Sequence, residues 1–112
     1  MSQTRRVIPE ITVDELADLL QSGGASLIDV REEWEFHRGR VPGAVSIPLR
    51  QLPARIADLP RDGRCLVICE HGNRSLAATE FLLGNGFESA ASVAGGTNAW
   101  ARSARPLERG RV

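Results

Sequence analysis

The sequence contains no lysine: its 14 basic residues are all arginine, and they balance 14 acidic residues to a formal net charge of zero. The absence of lysine excludes Schiff-base chemistry and a lysine general base. A chain with a pI of about 6.7 has no excess positive charge for nucleic acid or for an anionic membrane. We therefore expect neither nucleic acid nor a membrane as a partner.

Cysteine and long apolar runs are also scarce. The two cysteines, Cys65 and Cys69, do not make a disulfide framework. If both lay on one strand, four steps of chain would separate them by roughly 13 Å, beyond disulfide reach. No segment approaches the length of a membrane span, and residues 1–6 are not followed by the apolar stretch of a signal peptide. We therefore expect a protein of the reducing cytoplasm.

The remaining composition is ordinary. Apolar residues make up 42% and charged residues 25% of the chain, which is typical of a soluble globular protein. A chain of 112 residues has room for one domain with one modest core, and it needs no metal or disulfide to fold. We treat residues 1–112 as a single domain, with its core at about 11–101. The tail, 102–112, is expected to be mobile at its end.

Short apolar strands alternate with helical segments, which predicts an α/β protein with a mainly parallel sheet. Thr12 opens the first helix in a capping-box pattern, and Gly23 and Gly24 end it. The predicted strands cover residues 26–30, 44–47, 65–68 and 92–94. The other predicted helices cover residues 31–36, 49–59, 76–83 and 97–100. The core aromatics are predicted to be Trp34, Phe36 and Trp100.

The most informative segment is residues 69–75, between the apolar run 66–68 and the helical stretch 76–83. A strand that ends in cysteine and turns through a glycine-containing loop into a helix directs backbone amides at the sulfur. Such surroundings favour the thiolate, which is the reactive form of cysteine. Cys69 is therefore the candidate catalytic nucleophile. Cys65 lacks this context and is predicted to lie in the core.

The residues that follow Cys69 are too polar to continue a core strand, which argues against a purely structural cysteine: Glu70, His71, Gly72, Asn73 and Arg74. Gly72 would let the backbone turn tightly and approach a ligand. Arg74 would hold an anionic substrate by bidentate contact, or else form a surface ion pair with Glu70 or Glu80. Ser75 is predicted to cap the following helix.

Neither a protease-like Cys–His dyad nor a metal site fits the spacing. In a tight loop the sulfur points inward while intervening side chains splay outward, so His71 is predicted at the rim. His37 and His71 with two cysteines do not match zinc-site spacings, and we predict no metal. Asp29 ends a predicted strand and Arg31 follows it, so we expect this pair to support the base of the site.

Taken together, these segments resemble the rhodanese family. Residues 27–32 resemble its first signature and residues 35–44 its second, while 69–75 and 95–100 match its active loop and its closing motif. The resemblance runs from about Ile11 to Trp100, in order. It implies a single-domain rhodanese: a three-layer sandwich with a central, mainly parallel five-stranded sheet flanked by helices.

The resemblance also implies an activity, that of a thiosulfate sulfurtransferase. A sulfane sulfur would pass from thiosulfate or another persulfide donor to a persulfide on Cys69. A thiophilic acceptor, such as cyanide, a thiol or a protein, would then remove it. The resemblance makes the loop the substrate-binding segment, in which backbone amides would stabilise the developing charge on sulfur: Glu70, His71, Gly72, Asn73 and Arg74. No cofactor is implied, and we expect a monomer or a weak homodimer.

Two alternatives stay open. Related cysteine phosphatases and arsenate reductases use a Cys-x5-Arg loop, whereas four residues separate Cys69 from Arg74. The shorter ring suits sulfur transfer rather than a tetrahedral oxyanion. The second alternative is a non-catalytic rhodanese-like interaction domain, against which the intact cysteine argues.

Two positions depart from the usual family pattern. Arg40 stands where histidine is common, and we expect it to alter a surface or structural contact without affecting the chemistry. Glu70 places a negative charge in the loop. We hypothesise that this charge disfavours thiosulfate and shifts the preferred donor to a protein or low-molecular-weight persulfide.

Overall fold

The structure is a computed structural model that describes residues 7–111. Its strands are β1 (Glu10–Ile11), β2 (Ala25–Asp29), β3 (Val45–Ser46), β4 (Arg64–Ile68) and β5 (Ala91–Val93). Its helices are α1 (Val13–Ser22), α2 (Glu33–Arg38), α3 (Leu52–Arg55), α4 (Asn73–Gly84) and α5 (Gly96–Arg102). Residues 1–6, where we expect no signal peptide, lie outside the described range. Residue 112, the last residue of the tail, also lies outside it.

The five strands form one sheet in the order β1-β5-β4-β2-β3, and every strand pair in it is parallel. Side chains alternate across β4, so its two faces supply two cores. On one face Cys65 and Val67 pack beneath α3 and α4. On the other face Leu66 and Ile68 pack beneath α1 and α5. The predicted three-layer α/β sandwich with a five-stranded sheet is confirmed.

Local signals fix the first helix as predicted. The Glu15 amide donates to Thr12 Oγ1 at 3.1 Å, and the Thr12 amide donates to Glu15 Oε1 at 3.0 Å. These two bonds satisfy amides that would otherwise be left without a partner at the helix start. Gly23 ends α1 in the left-handed conformation, with φ of 82°. Among residues 7–111, no helix combines the length and the hydropathy that a membrane crossing requires.

Other elements lie within one to three residues of their predicted bounds, with two exceptions. β1 was not predicted, because a two-residue strand shows no periodicity and is defined only by its pairing with β5. The predicted helix over 49–59 is instead α3 flanked by two short 3-10 turns. Pro53 lies in the first turn of α3, where its missing N–H is tolerated, so the helix restarts there.

The prediction that Trp34 lies in the core is wrong. Trp34 is 60% exposed, whereas Phe36 is 3% and Trp100 6% exposed, as predicted. Residues two apart on a helix lie on nearly opposite sides, so burial of Phe36 turns Trp34 outward on the short α2. The Arg38 guanidinium covers part of the exposed indole, 5.6 Å from its ring centre.

The C-terminal tail packs back against α2 through Arg40, which is 6% exposed. Arg40 and Glu108 exchange two backbone hydrogen bonds of 2.9 Å in an antiparallel bridge. The Arg40 guanidinium donates to the carbonyl of Gly110 at 2.7 Å and lies 4.7 Å from the centre of the Phe36 ring. Arg40 is therefore a structural residue that joins the tail to α2.

We predict that Arg40→Ala lowers the free energy of unfolding by about 2 kcal/mol, because it removes charge-assisted hydrogen bonds and a cation–π contact from a buried site. Urea denaturation measures the change. The exposed Arg102 supplies a matched control, since Arg102→Ala should change stability by no more than about 0.5 kcal/mol. Equal midpoints for the two variants would contradict the structural role of Arg40.

Candidate active site

The sheet order brings the predicted site residues to one edge. β2 and β4 are neighbours, with Asp29 paired in register with Ile68. Cys69 follows directly after β4, so Cys69 and Asp29 lie at the carboxyl ends of two neighbouring strands. In open parallel sheets this edge is where ligand sites form.

Cys69 is 1% exposed, and its sulfur is surrounded by polar donors rather than by hydrocarbon alone. The backbone amides of Gly72 and Ser75 donate to Sγ at 3.1 and 3.3 Å. In the thiol form, Sγ also donates to Ser75 Oγ at 3.4 Å. Gly72 is the N-cap of α4 with φ of 104°, a conformation suited to glycine. This arrangement stabilises negative charge on the sulfur.

The loop is held from its other side by α5. The amides of Thr97 and Asn98 donate to the carbonyls of Cys69 and Glu70 at 2.9 and 3.0 Å, respectively. A Cβ atom at Gly96 would overlap both of those carbonyl oxygens. The close approach of α5 to the loop therefore requires glycine at this position, which is the physical role of the second glycine in the segment 95–100.

Ser75 does not cap α4, so that prediction is wrong. The N-cap is Gly72, without a side-chain hydrogen bond, and Ser75 lies inside the first turn facing the sheet. Its hydroxyl is fully buried and lies 2.7 Å from Ser92 Oγ on β5. Ser75 thus links the sulfur of Cys69 to the neighbouring strand. A lone serine in a three-residue strand gives no sequence signal, and Ser92 was missed.

Asp29 and Arg31 form a buried ion pair that joins three segments. Arg31 donates to both carboxylate oxygens of Asp29, at 2.9 Å through Nε and 2.7 Å through Nη2. It also donates to the Gly39 carbonyl at 2.8 Å and approaches Glu70 Oε1 at 3.5 Å. Burial alone would lower the pKa of Arg31, but its contacts with Asp29 outweigh burial and raise it. The pair connects β2, the end of α2 and the loop.

Arg74 forms a bidentate ion pair, and its partner is Glu35 of α2. Its two terminal nitrogens donate to the Glu35 carboxylate at 2.8 and 2.9 Å. This contact, aided by a backbone hydrogen bond, lowers the pKa of Glu35 from 4.5 to about 2 despite partial burial. Sequence reasoning missed Glu35 because 39 residues separate the partners. Substrate binding by Arg74 stays a prediction.

The remaining loop residues are placed at the surface or its edge. His71 and Asn73 are exposed, and Glu70 is partly buried. Glu70 Oε1 accepts a hydrogen bond from Thr97 Oγ1 at 3.1 Å, a second contact between loop and α5. His71 thus lies at the rim, as predicted.

Cys65 is buried in β4, as predicted, at 4% exposure. Burial raises the pKa of its thiol to about 11, because an apolar environment disfavours the charged form. Cys65 is therefore a neutral thiol at physiological pH and is not a competing nucleophile.

A cavity of about 300 Å³ lies beside the loop. Its wall includes Glu70, the residue next to Cys69 in the chain. The other side is formed by Trp34 and Arg38 of α2 and by Arg109 of the tail. We call this space the side cavity.

Comparison with known proteins identifies the fold. The profile of the Rhodanese-like domain family matches residues 12–103. The chain belongs to this rhodanese family. The predicted membership of the rhodanese family is confirmed.

Several relatives of this rhodanese-like domain are similar to it in length. It is 33% identical over 108 residues to the thiosulfate sulfurtransferase GlpE of Pseudomonas putida, covering 96% of this chain and 94% of the relative. It is 29% identical over 102 residues to a sulfurtransferase of Allochromatium vinosum, covering 90% and 95% of the two chains. The crystal structure of a rhodanese-related protein from Thermoplasma volcanium has a TM-score of 0.83 and 33% identity, covering 89% of this chain and 97% of that one.

The Glu35–Arg74 pair makes the stability of this rhodanese-like domain depend on pH. The pKa of Glu35 is about 2 in the folded state, below its ordinary value of 4.5. Stabilisation by the pair is therefore full above about pH 5 and is lost as the pH falls towards 2. We predict that Arg74→Gln is less stable than the wild type by on the order of 2 kcal/mol at neutral pH, a figure reduced for the partial exposure of Arg74.

Urea denaturation of wild type and Arg74→Gln, at neutral pH and at about pH 3, measures this difference. The difference in the free energy of unfolding between wild type and Arg74→Gln should be smaller at the lower pH. The double variant Glu35→Gln/Arg74→Gln is the control. Because it lacks the Glu35 carboxylate, its stability has no contribution from the titration of Glu35. A difference in stability between wild type and Arg74→Gln that is the same at both pH values would contradict the stabilising role of the Glu35–Arg74 pair.

Proposed function

We propose that this protein is a sulfurtransferase that carries sulfane sulfur on a Cys69 persulfide. The observation that supports it most strongly is the sulfur of Cys69 receiving two backbone amides at the end of β4. Backbone amides directed at a sulfur stabilise negative charge on it without a neighbouring base. The sulfurtransferase names of the relatives from Pseudomonas putida and Allochromatium vinosum support the same activity.

In the first half-reaction, the Cys69 thiolate attacks the outer sulfur of thiosulfate. A sulfur–sulfur bond forms to Sγ while the bond between the outer sulfur and the sulfonyl group breaks. Sulfite leaves with the electron pair of the broken bond. The product is a persulfide anion on Cys69, and a low-molecular-weight or protein persulfide reacts in the same way, releasing its thiolate.

In the second half-reaction, a thiophilic acceptor attacks the terminal sulfur of the persulfide. Cyanide yields thiocyanate, and a thiolate yields a new persulfide. The sulfur–sulfur bond to Sγ breaks, and its electron pair returns to Cys69 as the thiolate. The Gly72 and Ser75 amides stabilise this leaving thiolate as they stabilise the attacking one.

The burial of Cys69 restricts the donor. At 1% exposure, Sγ is reached by an atom presented end-on rather than by a bulky electrophile approaching from the side. Thiosulfate and persulfides each carry the transferable sulfur at one end of the molecule. The enclosed sulfur therefore favours donors with a terminal sulfane sulfur.

We predict that Cys69→Ser abolishes the formation of thiocyanate from thiosulfate and cyanide, while Cys65→Ala retains it. Serine lacks the sulfur that forms the persulfide, whereas Cys65 is a buried neutral thiol. Intact mass after thiosulfate treatment should show one added sulfur atom in the wild type and none in Cys69→Ser.

Circular dichroism establishes that both variants are folded. Phosphate release from an aryl phosphate, without thiocyanate, would instead favour the phosphatase alternative. Neither activity in the folded wild type would favour a non-catalytic interaction domain.

Glu70 is predicted to select against thiosulfate. Its carboxylate is 40% exposed beside the loop and repels a dianionic donor. We predict that Glu70→Gln raises kcat/KM for thiosulfate about fivefold, corresponding to a solvent-screened interaction of about 1 kcal/mol. Glu33→Gln, which removes an exposed carboxylate from α2, is the matched control. Equal thiosulfate turnover in wild type and Glu70→Gln would rule the hypothesis out.

A further inference from the structure

The side cavity holds more positive than negative charge. Its lining includes three arginines and two glutamates. Both glutamates are engaged: Glu35 accepts two hydrogen bonds from Arg74, and Glu70 accepts one from Thr97. Arg74 therefore balances the charge of Glu35, whereas Arg31, 3.5 Å from Glu70 Oε1, balances only part of the charge of Glu70.

Two of the three lining arginines are available to a ligand. Arg31 is committed to Asp29, whereas neither Arg38 nor Arg109 forms an ion pair with any residue of the described range 7–111. Arg38 lies over the exposed Trp34 ring, 5.6 Å from its centre, a cation–π contact that does not pair the guanidinium with an anion. A guanidinium prefers a carboxylate or another planar oxyanion as its partner.

The position of Arg109 is fixed from both sides. Its neighbour Glu108 is paired through the backbone with Arg40, and the Gly110 amide donates to the His37 carbonyl at 2.7 Å. These bonds hold the backbone of the tail where Arg109 enters the wall. A binding group positioned in advance loses less conformational entropy when it binds a ligand.

The cavity also has an apolar side and a small volume. Trp34 is 60% exposed, and its indole offers a flat apolar surface beside the two arginines. A volume of about 300 Å³ is at the lower end for small-molecule sites. The cavity thus suits a small molecule that has a carboxylate and a short carbon chain.

We propose that the side cavity binds the carboxylate of a small acidic thiol, the acceptor of the persulfide sulfur, and that Arg38 and Arg109 determine this preference. The inference rests on the proposed function. Glu70, the residue next to Cys69 in the chain, lines the same cavity, so a thiol whose carboxylate contacts the two arginines is held beside the reactive loop. Its proton passes to solvent, its thiolate attacks the terminal sulfur, and the Cys69 thiolate leaves while the acceptor departs as a persulfide.

Two thiols of similar length test the proposal. 3-Mercaptopropionate carries a carboxylate where 2-mercaptoethanol carries a hydroxyl. The measurement is kcat/KM for each acceptor with thiosulfate as donor, expressed as the ratio of the acidic to the neutral thiol. Comparing this ratio between variants cancels the intrinsic difference in reactivity between the two thiols.

We expect Arg38→Gln and Arg109→Gln each to lower this ratio about fivefold, because each removes one partly solvated ion pair. The exposed Arg111 lies outside the side cavity, so Arg111→Gln is the matched control and should keep the wild-type ratio. Turnover with cyanide, which has no carboxylate, should be the same in all four proteins. An unchanged ratio together with normal cyanide turnover would overturn the proposal while leaving the sulfurtransferase function intact.

A second measurement does not require turnover. 3-(Methylthio)propionate has the carboxylate but no reactive thiol, and its binding beside Trp34 should change the indole fluorescence in a saturable way. The change should be lost in Arg38→Gln/Arg109→Gln and kept in Arg111→Gln. Absence of saturable binding to the wild type would overturn the proposal. This test is independent of thiocyanate formation, which tests the sulfurtransferase function itself.

Discussion

The site depends on two backbone hydrogen bonds between α5 and the loop. The amides of Thr97 and Asn98 hold the carbonyls of Cys69 and Glu70. Because C=O and N–H of a trans peptide point in opposite directions, this pairing turns the amides of Glu70 and His71 away from α5. Gly96 makes the contact possible, since a side chain there would displace the loop carbonyls. The loop that leads from Cys69 to Gly72 is thus held by a helix that supplies none of the hydrogen bonds to Sγ.

The use of arginine alone as the basic residue has a structural counterpart at this site. Arg31 and Arg74 each bind a carboxylate with two nitrogens, those of Asp29 and Glu35. A lysine ammonium is a point charge and cannot form these forked contacts in a fixed plane. The two pairs tie α2 to β2 and to the first turn of α4. The charged residues around the loop therefore organise its frame, while backbone amides contact the sulfur.

Sequence reasoning identified the features that are encoded locally. The capping box at Thr12 and the apolar strand before Cys69 are patterns of adjacent residues, and the structure confirms the elements they predict. Features defined by distant partners were missed or misassigned. Glu35 is recognisable only once α2 lies beside α4. The exposure of Trp34 depends on which face of a six-residue helix is buried, and so short a segment has too little periodicity to reveal it.

The tail lies largely beyond the stretch that defines the family, since the match ends at residue 103. It nevertheless contributes Leu107 and Arg109 to a wall beside the reactive loop. None of the bonds around the sulfur of Cys69 comes from this segment. The wall and the surroundings of the sulfur are thus built from separate segments, so a substitution at Leu107 or Arg109 alters the shape or charge of the side cavity without removing a hydrogen bond to Sγ.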